Sequence, residues 1–244
     1  MHRFYLPHLN PSSQEIFLTD RQEIHHLRDV LRLKENDPIC IFNGKGEEAE
    51  GMIDSILPQR VSIKVQSLKK SSAKLPYTIL ACALPKKGKF ELIIEKVTEL
   101  GIDEIIPMVT KRTEIILSKE RASDKLTRFR TVAMNAAKQS RRSTLPVVSP
   151  VTSFQGTLEI LAKTTTAFIP SLLDPRENIF TAFGKVHNPQ KISFLVGPEG
   201  DFTKEEYLEA QAKGCIPVSL GENILKVETA AICTVACVKI FYAR

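Results

Sequence analysis

Ile192-Ser193-Phe194-Leu195-Val196-Gly197-Pro198-Glu199-Gly200-Asp201-Phe202-Thr203 is the stretch that decides the fold: a mostly apolar run, an acidic glycine loop, then a helix start. An apolar run of this length, bounded by turn residues, predicts a strand buried on both faces. The arrangement recurs downstream. Ile216-Pro217-Val218-Ser219-Leu220 runs into Gly221-Glu222-Asn223-Ile224-Leu225-Lys226-Val227-Glu228-Thr229-Ala230, which opens the last helix. Two such units place backbone amides and carbonyls beyond the carboxyl ends of a parallel sheet, where open α/β folds bind ligands. The active site is therefore expected between Ile192 and Ala236.

Working upstream, strands and helices alternate. Tyr77 to Leu84 reads as a strand, followed by an amphipathic helix with Phe90, Ile93, Ile94, Val97 and Leu100 inward and Gly101 as its stop. Glu104 to Val109 is the next strand. A long helix capped by Ser123 then turns Leu126, Phe129, Val132, Ala133, Ala136 and Ala137 inward. Thr166 to Pro170 is a strand ending at Ser171-Leu172-Leu173. Thr203-Lys204-Glu205-Glu206 spells a capping box, so the glycine loop ends at a well-specified helix N-terminus that Gly214 closes. Such alternation predicts an α/β fold with a parallel sheet covered on both faces.

Before about residue 73 the pattern is mostly short strands. Glu23 to Leu33 reads as the one helix, and Asn43-Gly44-Lys45-Gly46 is a hairpin signal between Ile39 to Phe42 and Glu47 to Ile56, with Val61 to Val65 following. A small β-barrel fits this order. The linker Lys69-Lys70-Ser71-Ser72-Ala73-Lys74 marks the boundary, giving domains 1–72 and 73–244.

The 244 residues carry a net charge of +6, and its placement is informative. Between Lys111 and Arg142 ten basic residues face three acidic ones, an excess of seven that accounts for the whole surplus. A solvated helix face is the ordinary reading of a charge run; this density favours a polyanion, nucleic acid being the usual one. The most apolar stretch, Ala230 to Val238, is about half of the roughly 20 residues a membrane span needs. No signal-peptide core follows Met1, so a cytoplasmic protein without membrane attachment is expected. The five cysteines form no CxxC and read as buried reduced thiols; Cys233 and Cys237 share a helix face, but no metal site is expected.

A glycine loop at a helix N-terminus first suggests phosphate. Gly197 to Asp201, however, holds two carboxylates and no lysine, and neither G-x-x-x-x-G-K-[ST] nor a strand-linked G-x-G-x-x-G occurs. What remains is a ligand with an adenosine-like ring held by apolar side chains and backbone groups, with a cationic centre near Glu199 or Glu228. S-adenosylmethionine has those features.

Leu195-Val196-Gly197-Pro198-Glu199-Gly200 and Leu220-Gly221-x-x-Ile224-Leu225-x-x-Glu228-Thr229-Ala230 resemble, in order and spacing, the two signature motifs of the RsmE family of SPOUT methyltransferases. Phe90-Glu91-x-Ile93-Ile94-Glu95-Lys96-x-Thr98-Glu99-Leu100-Gly101, Gln139-Ser140-x-Arg142 and His25-His26-Leu27-Arg28-x-Val30-Leu31-Arg32 resemble further family segments, so the likeness spans nearly the whole chain. The resemblance implies a C-terminal SPOUT α/β trefoil-knot domain, a PUA-like N-terminal barrel that binds RNA, and a homodimer. It implies S-adenosylmethionine as cofactor and methylation of N3 of one uridine in 16S rRNA of the small ribosomal subunit. Lys226 stands where the family usually has arginine, and Glu222-Asn223 replaces a pair that usually includes one; charge is kept at Lys226, but planar bidentate recognition is lost.

On this reading Leu173, Leu195, Val196, Gly197, Glu199, Gly200, Leu220, Gly221, Ile224, Leu225 and Thr229 hold the cofactor. Uracil N3 becomes a good nucleophile once its proton leaves. Glu228 and Glu199 are candidate bases if desolvation raises their pKa, and Lys226 and Arg142 candidate stabilisers of the uracil anion. Alternatively, Glu228 caps the last helix. Arg28, Arg32, Arg128, Lys138, Gln139, Ser140, Arg141 and Arg142 are the expected RNA contacts. Two other functions fit the same pattern: a non-catalytic RNA-binding assembly factor, and a SPOUT enzyme acting on ribose 2′-oxygen.

Overall fold

The computed structural model describes the chain apart from residues 11, 12, 73, 74, 87, 115–118, 163–165, 243 and 244, and the side chain of residue 119. Two compact units result, Met1–Ala73 with Ala137–Leu145, and Lys74–Ala136 with Pro146–Arg244.

The first unit contains β1 (His2–Tyr5), β2 (Glu15–Leu18), α1 (Arg21–His25), β3 (Pro38–Phe42), β4 (Glu47–Leu57) and β5 (Arg60–Lys70). They form one five-stranded sheet in the order β1-β3-β4-β5-β2. The β1–β3 pair is parallel and the rest are antiparallel. Phe4, Leu18, Leu27, Ile39, Ile41, Ile53 and Val61 fill its core. Asp20 caps α1 by accepting from the amides of Gln22 and Glu23, so the helix starts earlier than the apolar spacing suggested. It continues as a π-helical turn over His26–Val30. Asn43 organises the β3–β4 hairpin, its side-chain oxygen accepting from the amides of Lys45 and Glu47.

Residues 137–145 are the surprise of this unit. The linker composition assigned them to the second domain, but Gly46 N–H donates to Ser143 O and Leu145 N–H to Gly44 O, tying the segment to the hairpin. Such pairing joins residues about a hundred positions apart and leaves no local signal.

The second unit contains β6 (Tyr77–Ala83), α2 (Lys89–Glu99), β7 (Glu104–Val109), the body of α3 (Lys119–Gln139), β8 (Val147–Val148), β9 (Thr152–Ser153), α4 (Phe154–Ala162) and β10 (Thr166–Pro170). β11 (Glu177–Asn178), α5 (Ile179–Gly184), β12 (Lys191–Val196), α6 (Lys204–Ala212), β13 (Ile216–Ser219) and α7 (Val227–Phe241) complete it. The sheet order is β11-β13-β10-β12-β6-β7-β8, with β9 also on β7. Every pair is parallel. Two cores cover the two faces, as both-face burial of β6 and β12 requires. One holds Phe168, Phe183, Phe194 and the inner sides of α2 and α7; the other holds Leu195, Phe154, Phe202 and Tyr207.

This is the expected α/β class with a parallel sheet and a separate N-terminal sheet. Ser123 is not the cap of α3, because it lies inside the helix, which already includes Lys119; its carbonyl instead accepts from Thr127 Oγ1. From β13 the chain returns to α7, which packs on α2, β6 and β12. Among the described residues no helix is long and apolar enough to cross a membrane. Cys40, Cys82 and Cys215 are buried as expected, whereas Cys233 and Cys237 are only half-buried, their sulfurs 4.0 Å apart.

Candidate active site

A pocket of about 360 Å³ opens at the carboxyl ends of the adjacent strands β13, β10 and β12. Each strand end contributes its following loop: Pro170, Ser171 and Leu172 from β10, Val196 to Glu199 and Asp201 from β12, and Leu220 to Lys226, apart from Glu222, from β13. Lys89 at the start of α2 and Val227 at the start of α7 close the ring, so two helix N-termini bring their positive ends to it.

Hydrogen bonds from behind hold the loops in place. The Tyr207 hydroxyl on α6 lies 2.9 Å from Asp201 Oδ1 and 3.2 Å from the Pro170 carbonyl, tying the β12 loop to the end of β10. Asp201 sits at φ 61°, a left-handed conformation that its own carboxylate supports by accepting from the Phe202 amide at 2.8 Å. Burial, and then the Asp201 charge, push the Tyr207 hydroxyl above its ordinary range. Arg112 donates to the Gly200 and Phe202 carbonyls. Arg176 donates to the Ser171 carbonyl at 2.8 Å. Thr203 and Glu206 form the expected capping box. A Cβ at Gly197 would meet the Phe202 ring at 3.1 Å, which is why that turn favours glycine.

Of the residues expected to hold a cofactor, Val196, Gly197, Glu199, Leu220, Gly221, Ile224 and Leu225 line the pocket. Leu195 does not: strand alternation turns its buried side chain to the opposite face of the sheet from Val196. Leu173, Gly200 and Thr229 also lie outside the lining; Leu173 is half-exposed, and the Gly200 carbonyl faces Arg112. The predicted site set lacks Lys89, Pro170, Ser171, Leu172, Arg176, Pro198, Asp201, Asn223, Val227 and Ala230. The one available signal was positional, since Ser171 follows a strand end and Lys89 follows Gly88 at a helix start.

The carboxylates depart from expectation. Glu228 is absent from the lining; its Oε1 accepts from Lys89 Nζ at 3.1 Å. Its own backbone amide and then Lys89 hold its carboxyl below the ordinary range, the opposite of the rise a general base needs. Glu228 is the second residue of α7, whose N-cap is Lys226. Glu199 lines the pocket and its Oε1 accepts from the Lys86 amide at 2.9 Å. Lys226, the N-cap of α7, is exposed and lines the pocket. Arg142 belongs to the first unit, where it donates to Thr144 Oγ1 at 3.2 Å.

Three of the expected RNA contacts are paired with carboxylates. Arg128 forms an ion pair with Glu91 at 2.7 Å, and Arg28 one with Asp29 at 2.9 Å. Lys138 is paired with the buried Glu23, a structural use of the charge. Gln139 and Arg141 are exposed and Ser140 is half-buried. Arg32 and Arg141 are exposed at φ 54° and 59°, left-handed conformations at helix ends.

A family model for an RNA methyltransferase domain matches residues 73–239, and one for an RNA methyltransferase PUA domain matches residues 18–66. Ribosomal RNA small subunit methyltransferase E of Rickettsia conorii is 32% identical over 98% of this chain and 95% of its own. The Bacillus subtilis protein of the same name is 30% identical over 95% of this chain and 93% of its own. A crystal structure of a ribosomal RNA small subunit methyltransferase E from Neisseria gonorrhoeae, bound to S-adenosyl methionine, superposes with TM-score 0.88 at 27% identity. That superposition covers 99% of this chain and 98% of the other. The fold, the placement of the pocket and these matches agree that the chain belongs to the RsmE family of RNA methyltransferases.

Proposed function

We propose that this protein transfers a methyl group from S-adenosylmethionine to N3 of one uridine in the 16S rRNA of the small ribosomal subunit. The observation that carries the reading is the pocket itself: three parallel strand ends, an apolar wall and two helix N-termini, with a Gly197 to Asp201 loop that is acidic and holds no lysine. Val196, Leu220, Ile224, Leu225 and Ala230 suit a flat adenosine-like ring, while Arg176 and Lys226 suit a carboxylate. The pocket is thus matched to an amphoteric nucleoside of that kind. When bound, the cofactor supplies an activated methyl on a sulfonium.

The chain's own residues have three tasks. The loops that end β10, β12 and β13 hold the donor, with Tyr207 and Arg112 fixing their spacing. N3 lies on the pairing edge of uracil, so the base enters unpaired or flipped out. Of the two carboxylates on the lining, Asp201 is held by Tyr207 and the Phe202 amide, and Glu199 is the one this reading makes the acceptor of the N3 proton; Glu228 sits behind Lys89 and stays ionised. RNA contacts come from Arg32, Gln139, Arg141 and Arg142 of the first unit, with lesser shares from the ion-paired Arg28, Arg128 and Lys138. The protein works in the cytoplasm as a homodimer, a reading supported by Phe180, Ile240 and Phe241, apolar side chains 46%, 74% and 39% exposed.

Labelled methyl transfer to small subunits lacking the modification, followed by reverse transcription, tests the proposal. One stop at a uridine is expected. Label without a stop would indicate ribose methylation, and RNA binding without label would favour the assembly factor.

A further inference from the structure

Lys89 is the first residue of α2, directly after Gly88 at φ 72°. Its side chain is 36% exposed and lines the pocket, while Glu228, 16% exposed, accepts one hydrogen bond from its ammonium at 3.1 Å. An ammonium has three donors, so two remain for whatever enters the pocket. Glu228 Oε2 is buried with no hydrogen-bond partner among the described residues, which leaves Lys89 as the side-chain partner of that carboxylate. The other pocket cations differ in kind. Arg176 spends its guanidinium on the Ser171 carbonyl and on Asp174, and Lys226 is an exposed N-cap. Lys89 alone combines a half-buried position, a fixed partner and a place where the N-termini of α2 and α7 meet.

We propose that Lys89 is a catalytic residue that stabilises the negative charge developing on the uracil ring, and that Glu228 is the positioning residue that holds its ammonium in place. The inference rests on the uracil-N3 reading above. In the step it serves, the N3–H bond breaks and the proton leaves to a carboxylate or water. The N3 lone pair forms the new N–CH₃ bond, and the S–CH₃ pair departs with the neutral thioether. Charge builds on N3 and its flanking carbonyl oxygens before the methyl is fully transferred. A fixed ammonium at that place lowers the barrier by favouring the anion.

The test is Lys89→Met and Lys89→Arg in the full-length protein, with small subunits lacking the modification as substrate. Single-turnover rates are measured from pH 6 to pH 10 and S-adenosylmethionine affinity by calorimetry. The Met variant should lose about 10²-fold in rate at neutral pH. Its deficit should narrow as pH rises, because the uracil then ionises without help; cofactor affinity should stay within about threefold, and Arg should recover most of the rate. Glu228→Gln should give a smaller loss with the same pH trend. A pH-independent deficit, or one matched by lost cofactor affinity, would overturn the proposal. If the unaltered protein yields no N3-methyluridine, the functional reading fails; if it does and Lys89→Met equals it at every pH, only this inference fails.

Discussion

Arg141 provides a test in which stability and binding should move in opposite directions. It occupies the position after the C-cap of α3, where Arg141 N–H donates to Lys138 O and Arg142 N–H to Ala137 O, the hydrogen bonds of a Schellman closure. That position needs a left-handed residue, and Arg141 takes it at φ 59°. A non-glycine residue there costs roughly 1–2 kcal/mol, of which glycine's extra unfolded-state freedom returns about 0.5–1. Arg141→Gly should therefore stabilise the protein by roughly 0.5–1 kcal/mol, or about 1–4 °C in Tm for a chain of this size. If the exposed guanidinium binds a phosphate, the same change should weaken rRNA binding about tenfold and reduce the slope of log K against log salt by roughly 0.7–0.9. Thermal unfolding and filter binding across a salt series measure both. A variant that loses stability, or that keeps its affinity and salt slope, refutes the argument that the strained backbone is kept for its charge.

Lys138→Ala should do the reverse, costing about 3 kcal/mol by stranding the buried Glu23 carboxylate, visible as a lowered denaturation midpoint. Arg128→Ala should alter rRNA affinity less than Arg141→Gly, because Arg128 is already paired with Glu91; an equal loss in filter binding would show that the pair opens for RNA. Tyr207→Phe should cost about 1 kcal/mol and weaken cofactor binding by calorimetry, since the bonds joining Asp201 to Pro170 are lost. The lowered Glu228 pKa means that its contribution is complete above the ordinary carboxyl value and is lost as pH falls through the lowered one. The Tm deficit of Glu228→Gln at pH 7 should accordingly vanish in strong acid, and a deficit independent of pH would contradict the ion pair with Lys89.

Much of the second unit was legible because its signals are local. The apolar run to Val196, the capping box at Thr203 and the strand from Glu104 to Val109 are each written in a few consecutive residues, and the structure keeps them. The glycine loops identified the pocket for the same reason, since a turn after a buried strand exposes backbone at the sheet's edge. What consecutive residues cannot state is which side chains from distant elements meet. Lys89 reaches Glu228 across 139 positions and joins Glu228's own backbone amide in lowering a pKa expected to rise. Strand alternation sent Leu195 away from the pocket although its neighbour Val196 lines it. Residues 137–145 joined the first unit through hydrogen bonds to the Gly44 hairpin, and Lys138 gave its charge to Glu23. The sequence by itself determined the elements, the loop chemistry and the family. Only the tertiary structure decided which charges are spent on other side chains and which stay open, because electrostatic partnership depends on distance in space and not along the chain.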